Sequence, residues 1–171
     1  DEKVVAVGEC GFDFYYNDKN ELLERQEALL RGQIAIARKY GLPLSFHVRE
    51  AFDDFWRVFE SYSGISGVLH SFTDRPVHLE RAIKYGLSIG INGIASFISH
   101  SWQRDMFKSI PLENIVIETD APFLTPHPKR GTINTPENVI YITNFLAELR
   151  GEEPSTIAKV TTANAQKLFN L

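Results

Sequence analysis

Four side chains of the types that bind divalent metals follow four short apolar runs of the sequence. Glu9, His47, His70 and Asp120 each stand directly after such a run or within three residues of its end. Imidazole and carboxylate groups together form the donor set expected for zinc, manganese or a related divalent ion. The pattern therefore predicts a divalent metal site.

Each of these residues also has an ordinary structural interpretation. A single histidine at a strand end is more often a hydrogen-bonded structural residue than a metal ligand. Glu9 also fits a charge at a helix N-terminus or half of a salt bridge, and Asp120, before Ala121-Pro122, also fits a turn. Four such coincidences at four strand ends are much rarer than one, so the metal site is the favoured interpretation.

Five apolar runs alternate with amphipathic segments, and these elements must position the four residues. The runs predict strands at 4–8, 44–46, Gly67–Leu69, 87–89 and Ile115–Ile117. The segments between and after them predict six helices. They run from about 21 to 40 before Gly41, through the aromatic residues at 52, 55, 56 and 59, behind Asp74 with Pro76 in the first turn, around 99–109, from Thr135-Pro136 to Gly151, and from about 154 to 169.

A strand alternating with a helix every ~30 residues is typical of parallel βα units in an α/β protein. An open doubly wound sheet and part of a (β/α)8 barrel both have this rhythm. A complete barrel takes ~250 residues, so the 171 residues predict a single domain (residues 1–171) that corresponds to about strands four to eight. In such barrels the active site lies at the C-terminal ends of the strands, where the four residues fall. The fourth run, ending at 90–93, offers no strong ligand.

The bulk composition limits the classes of function. The net charge is −4, from 18 basic and 22 acidic residues, whereas proteins that grip duplex nucleic acid electrostatically are usually basic. A nucleic-acid substrate must therefore be bound locally. One cysteine, Cys10, excludes an internal disulfide and favours the cytoplasm. The sequence has no membrane-length apolar run and gives no sign of an obligate protein partner. It starts without Met and enters an apolar run at once, which predicts a start within a longer protein.

Several dispersed motifs resemble the signature stretches of TatD-type hydrolases. They are GECGFDF at 8–14, LPLSFHVREA at 42–51, GVLHSFT at 67–73, IPLENIVIETDAPFLTP at 110–126, RGTINTP at 130–136 and TTANAQKLFNL at 161–171. The resemblance covers nearly the whole chain in order. It implies the (β/α)8 barrel of the amidohydrolase-like metallohydrolases and a metal-dependent nuclease that cleaves phosphodiester bonds in DNA, often from 3′ to 5′.

The same resemblance implies a role for each of the four residues. Glu9 is then the carboxylate between two divalent ions (Mg²⁺, Mn²⁺ or Zn²⁺), and His47 and His70 are ligands of the second ion. Asp120 is the ligand from the last strand, next to the nucleophilic water. Either Asp120 or Glu9 is expected to accept the proton of that water, so both are catalytic candidates.

Arg49 is the candidate for binding the substrate phosphate. It lies two residues after His47, and residues i and i+2 of an extended chain share a face. A guanidinium there suits bidentate contact with a phosphate, although a salt bridge to Glu9, Asp13 or Glu50 is an equal alternative.

Other polar and aromatic residues receive weaker interpretations. Lys129 and Arg130 are possible contacts to a nucleic-acid backbone, with Lys129 better explained as a solvated loop charge. The remaining histidines are interpreted as surface or helix residues, and the aromatic cluster of the second helix as core. The residues in question are His78, His100, His127, Phe52, Phe55, Trp56 and Phe59.

The chain departs from the family in one respect that bears on mechanism. The family's first strand carries a His-x-His pair that binds the first ion, and no such pair occurs in the 171 residues. The strand count assigns that pair to units preceding this chain, so the isolated chain is expected to be weakly active or inactive. Cleavage of an amide, ester or lactone remains an alternative reaction, and a non-catalytic module that keeps the ligands by descent is a third possibility.

Overall fold

The computed structural model describes residues 3–16 and 18–171. These residues form two compact units. The first unit comprises the chain up to His70 together with Leu168–Leu171, and the second comprises Ser71–Lys167. The assignment of the whole chain to a single domain stays a prediction.

The first unit is built on three parallel strands in the order β1-β2-β3. Its elements are β1 (Val7–Asp13), α1 (Lys19–Tyr40), β2 (Leu44–Arg49), α2 (Phe52–Phe59) and β3 (Gly67–Leu69). A helix connects β1 to β2 and another connects β2 to β3, as parallel strand pairs require.

The second unit contains a pair of parallel strands and four helices. Its elements are α3 (Pro76–Lys84), β4 (Ser88–Ile91), α4 (Ser101–Ser109), β5 (Ile115–Ile117), α5 (Val139–Arg150) and α6 (Pro154–Phe169). Short 3₁₀ helices at Gly93–Phe97, Leu112–Asn114 and Pro136–Asn138 connect some of them. The predicted α/β class with parallel strands is confirmed.

Glycine and proline set the helix ends much as the sequence predicts. Gly41 ends α1 with φ 64°, and Gly151 ends α5 with φ 70°, in the left-handed conformation that glycine adopts without a steric penalty. Pro76 opens α3, but the predicted cap at Asp74 is wrong. The N-cap is Arg75. The Asp74 carboxylate accepts a hydrogen bond from the backbone N–H of Arg75 and caps no N–H of the helix.

The predicted core of the second helix is confirmed. Trp56 and Phe55 are fully buried, and the centres of their rings lie 4.9 Å apart with a 66° angle between the ring planes. Phe55 also contacts Phe46 of β2 at 5.1 Å. Edge-to-face pairs of this kind add to the stabilisation from apolar burial, so these rings fix α2 against the strand that carries His47.

The largest correction concerns β1, which begins at Val7 and not at Val4. Val4 and Val5 are exposed, whereas Cys10 and Phe12 reach the core. The strand runs on to Asp13, so Glu9 lies inside the strand and not after its end. An apolar run indicates only the buried part of a strand. The hydrogen bonds between β1 and β2 continue through polar residues because they use backbone N–H and C=O groups alone.

A bulge in β1 determines where Glu9 points. Val7 pairs with Leu44 and Cys10 with Phe46, so three steps along β1 match two along β2. Gly8 suits this place because a Cβ atom there would lie 2.8 Å from the Ser45 carbonyl oxygen. Bulges of this kind re-aim side chains next to active sites.

Candidate metal centre

Glu9, His47 and His70, all in the first unit, meet around one point. One carboxylate oxygen of Glu9 lies 3.7 Å from Nδ1 of His47, and the other lies 3.7 Å from Nε2 of His70. All three donor atoms lie within 4.8 Å of one another. The two imidazole rings are 5.6 Å apart and tilted by 31°. Three of the four predicted ligands thus come together, from β1, from β2 and from the residue after β3.

The three side chains differ in burial, and the difference gives the cluster an open side. The side chain of His70 is 7% exposed, that of His47 33%, and that of Glu9 53%. The imidazole of His70 is therefore held by the protein interior, while the carboxylate of Glu9 faces solvent. A ligand in solution can approach from the Glu9 side.

Asp13 fixes the orientation of the His47 ring. Nε2 of His47 donates to Oδ2 of Asp13 at 3.0 Å. Because an ionised carboxylate can only accept, Nε2 must carry the ring proton. In the neutral imidazole, Nδ1 then has its lone pair on the side of Glu9. A carboxylate that orients a histidine in this way is the usual outer partner of a metal-binding imidazole.

The side chain of Gln26 in α1 forms two hydrogen bonds with the backbone of Asp13. Its side-chain oxygen accepts from the backbone N–H of Asp13, and its side-chain nitrogen donates to the carbonyl oxygen of Asp13, both at 3.1 Å. The position of His47 is therefore coupled through Asp13 to the first helix. Sequence reasoning named Asp13 only as an alternative partner of Arg49, although Glu9, Gly11 and Asp13 alternate along β1 and so share a face.

Asp120 belongs to the second unit, three residues beyond the end of β5. It is half-buried and adopts φ 58°, in the left-handed region where Asp and Asn are the best-tolerated residues after glycine. Its carbonyl oxygen accepts from the N–H of Phe123 at 2.9 Å, so the predicted turn exists. The predicted ligand role of Asp120 stays a prediction.

Asn134 organises the loop that follows Asp120, and sequence reasoning assigned it no role. Its buried side-chain amide donates to the carbonyl oxygens of Thr119 at 2.7 Å and Phe123 at 2.6 Å, on either side of Asp120. The side-chain oxygen of Asn134 accepts from Thr135 and Asn138. An asparagine after a proline-rich loop is too common a feature to signal this role in the sequence.

Arg49 is the last residue of β2 and is exposed. Its guanidinium lies 3.5 Å from the centre of the Tyr15 ring and 5.4 Å from that of Tyr16. The predicted salt bridge to a nearby carboxylate is replaced by a cation–π contact, which leaves the N–H donors in the plane of the guanidinium available for a phosphate.

Cys10 has no part in the site. Its thiol is buried on the opposite face of β1 and donates to the carbonyl oxygen of Ser45 at 3.6 Å. Burial, with a smaller contribution from the Glu9 charge, raises the pKa of Cys10 to about 12. Since the thiolate is the reactive form, Cys10 is inert as a nucleophile.

The remaining histidines and loop cations lie in the second unit. His78 is in α3 as predicted for a helix residue, but it is buried beside Asp74 and Arg75. His100 and His127 are exposed. Arg130 stacks on Phe97 at 4.5 Å and Lys129 lies 6.0 Å from the Tyr141 ring, and their contact with a nucleic-acid backbone stays a prediction. No helix in the described part of the chain is long and apolar enough to cross a membrane.

Known proteins are similar to this chain in both sequence and fold. A family model for TatD related DNase matches residues 1–170. The metal-dependent hydrolase YabD of Bacillus subtilis is 34% identical over 99% of the chain and 67% of its own length. A protein of Rahnella sp. named 3′-5′ ssDNA/RNA exonuclease TatD is 37% identical over 98% of the chain and 66% of its own length.

A solved structure agrees with the fold. The crystal structure of the TatD homologue YjjV from Escherichia coli K12 matches with a TM-score of 0.90 at 33% identity, over 99% of this chain and 65% of that one. The chain thus spans about two thirds of the length of the relatives it matches.

Proposed function

Since the chain belongs to the TatD related DNase family, we propose that the protein is a metal-dependent hydrolase that cleaves phosphodiester bonds in DNA. The observation that carries the proposal is the convergence of Glu9, His47 and His70 on one point. The names of the relatives as metal-dependent hydrolases and as a single-strand exonuclease support the same reaction.

The donor set of the cluster fits a divalent ion. Zinc and similar ions bind imidazole nitrogen and carboxylate oxygen at about 2.0–2.2 Å, so two donors on one ion are at most about 4.4 Å apart. The 3.7 Å separations within the cluster meet this limit, and the widest donor separation, at most 4.8 Å, needs only a small adjustment. Glu9, His47 and His70 would hold the ion.

Each residue then has a distinct task in the reaction. A bound divalent ion lowers the pKa of water and offsets the charge that develops on the phosphate. Glu9 supplies the negative charge and, being half exposed, lies where substrate arrives. We assign Asp120 as the group that accepts the proton of the attacking water, with Glu9 as the alternative acceptor. Arg49 would bind the phosphate through its guanidinium.

We further propose two divalent ions per complete site, Mg²⁺, Mn²⁺ or Zn²⁺, which Glu9 and Asp120 would help to hold. The family resemblance assigns the first ion to a His-x-His pair, which is absent from the 171 residues. The assignment of the chain to strands four to eight of the barrel, its weak activity in isolation and the cytoplasmic location belong to the same proposal.

The first test is hydrolysis of single-stranded DNA by the protein at its natural length. With a 5′-labelled oligonucleotide and Mn²⁺ or Mg²⁺, we expect a ladder of products shortened from the 3′ end, and chelation of the metal should abolish it. A His70→Ala preparation purified in the same way controls for contaminating nucleases. Absence of product with every divalent ion, in protein that holds stoichiometric metal, would overturn the nuclease assignment. Activity on an amide, ester or lactone would then favour that alternative, to which the acidic net charge is better suited.

A second prediction concerns the hydrogen bond between Asp13 and His47. In Asp13→Asn the side-chain oxygen can still accept from the N–H of Tyr15, but the new NH₂ group faces Nε2 of His47. An NH₂ donor favours the tautomer with the proton on Nδ1, which removes the lone pair from the metal side. We expect a 10- to 100-fold weaker affinity for Mn²⁺ or Zn²⁺, about the effect of losing such an outer partner, measured by calorimetric titration.

The control for this prediction is Asp53→Asn, which removes one exposed carboxylate from α2 without touching the cluster. Its metal affinity should match that of the unchanged protein. Equal affinities for Asp13→Asn and Asp53→Asn would show that the His47 tautomer is set by something other than Asp13.

A further inference from the structure

Two exposed tyrosines lie immediately beyond β1, next to the cluster of Glu9, His47 and His70. Tyr15 is 48% exposed and Tyr16 is 78% exposed. Their rings meet edge to face at 4.5 Å with an interplanar angle of 89°. The core does not use them, in contrast to the buried aromatic rings of α2. Two adjacent exposed rings beside a candidate active site form a surface on which a flat ligand can stack.

The tyrosine pair is tied directly to the cluster through Asp13. Oδ1 of Asp13 accepts from the backbone N–H of Tyr15 at 2.9 Å, while Oδ2 accepts from His47 at 3.0 Å. One carboxylate therefore separates the tyrosine turn from the imidazole of the metal cluster. The backbone N–H of Phe14 also donates to the carbonyl oxygen of Arg49 at 3.1 Å, which fixes the start of the turn to β2.

Arg49 completes the surface with a positive charge. Its guanidinium stacks on Tyr15, 3.5 Å from the ring centre, and this contact orders a side chain that is otherwise exposed. The ring of Tyr16 extends further into solvent. The combination of a ring open to stacking and a cation for the backbone is what proteins use to bind single-stranded nucleic acid.

We propose that Tyr16, supported by Tyr15 and Arg49, stacks on an unpaired nucleobase next to the phosphate that is cleaved. The proposal rests on the proposed nuclease function and assigns Tyr16 as a residue that contacts a base of the substrate. A base inside a duplex is stacked on its neighbours and cannot lie on the ring. Because every base has a π face, the contact tolerates any sequence. The site therefore selects strandedness and not base identity.

The test is binding of a short fluorescein-labelled oligothymidylate in chelator, followed by fluorescence anisotropy. Tyr16→Ala is expected to weaken binding about 10- to 100-fold, the range found when a stacking aromatic is removed. Tyr16→Phe keeps the ring and should bind within about twofold of the unchanged protein by the same principle. An oligonucleotide with an abasic residue at its 3′ end should bind the unchanged protein as weakly as Tyr16→Ala binds the intact strand, with no further loss when the two are combined.

Tyr40 provides the matched control. It is 63% exposed at the end of α1 and also has a cation over its ring, Lys39 at 5.1 Å. Tyr40→Ala should bind the oligonucleotide like the unchanged protein. Binding by Tyr16→Ala equal to that of the unchanged protein, an equal loss in Tyr40→Ala, or no binding by the unchanged protein would each overturn the stacking proposal.

The outcome is separable from that of the proposed function. Hydrolysis of bis(4-nitrophenyl) phosphate with Mn²⁺, by the unchanged protein at its natural length, tests phosphodiester cleavage without any nucleobase. Loss of this hydrolysis together with Tyr16-dependent binding would reject the nuclease and leave the binding surface standing. Hydrolysis together with binding that ignores Tyr16 would reject the stacking surface alone.

Discussion

Replacement of His70 by alanine is expected to remove stoichiometric metal from the protein and to lower the rate of phosphodiester hydrolysis at least about a thousandfold. A bound ion contributes several kcal/mol of charge stabilisation in the transition state, and each 1.4 kcal/mol or so corresponds to a factor of ten in rate. His70 is the most buried of the three donors, at 7% exposure, so its imidazole is held by the fold before metal arrives. Without it, Glu9 and His47 remain as two donors on the exposed side.

The measurements are metal content by elemental analysis after dialysis and initial rates with Mn²⁺. His78→Ala is the matched control, because His78 is also buried but lies in α3 beside Asp74 and Arg75. It reports the effect of losing a buried imidazole on folding alone, which thermal melting of both variants quantifies. Retention of full metal content in His70→Ala would show that the metal is held elsewhere.

Replacement of Asp120 by asparagine is expected to lower kcat by about 10²- to 10⁴-fold, the contribution of a positioned general base. Asparagine has the same shape but cannot accept the proton of water. It also tolerates the φ of 58° that Asp120 adopts, so the turn with Phe123 is preserved. An alanine at this position would add backbone strain and confuse the result.

The Asp120→Asn variant should still bind metal at Glu9, His47 and His70, which separates this effect from that of His70→Ala. Asp105→Asn, which removes an exposed carboxylate from α4, controls for the change in net charge. A kcat for Asp120→Asn within about threefold of the unchanged protein, far below the usual contribution of a general base, would assign proton transfer to Glu9 or to another group.

The sequence predicts the parts of the fold that local chemistry determines. β3 and β5 match their apolar runs, α2 contains the aromatic residues predicted for it, α6 matches its predicted ends, and α1 stops at Gly41 as expected. These boundaries depend on side-chain patterns and on glycine or proline, and both can be recognised in the sequence without the structure. The convergence of Glu9, His47 and His70 follows only in part from the same logic. Parallel strands that lie side by side bring the three residues together, but Glu9 and His47 lie inside β1 and β2 and only His70 follows the end of its strand.

The parts that the sequence does not predict depend on register between strands. The bulge at Gly8 and Glu9 appears only when β1 is aligned with β2. The contact between Asp13 and His47 follows from the same alignment, in which Gly11 faces His47 and Asp13 faces Arg49. A carboxylate four residues after Glu9 has no distinctive spacing relative to a histidine 34 residues later.

The contact partner of the exposed Arg49 side chain could not be predicted from the sequence. Its charge and its place after His47 predict a phosphate or carboxylate partner. Its observed partner, the Tyr15 ring, depends on a turn fixed by two hydrogen bonds to Asp13 and Arg49. The tyrosines carry no amphipathic pattern, so nothing in their spacing indicates a shared surface.

Binding of a divalent ion by Glu9, His47 and His70 can be observed by anomalous X-ray scattering from crystals grown with Mn²⁺. We predict an anomalous peak about 2.0–2.2 Å from a carboxylate oxygen of Glu9, Nδ1 of His47 and Nε2 of His70, the distances usual for imidazole and carboxylate donors, with Nε2 of His47 still bonded to Asp13. Crystals at saturating Mn²⁺ with no peak at this point, and with the two histidines bonded to the Glu9 carboxylate instead, would contradict the account.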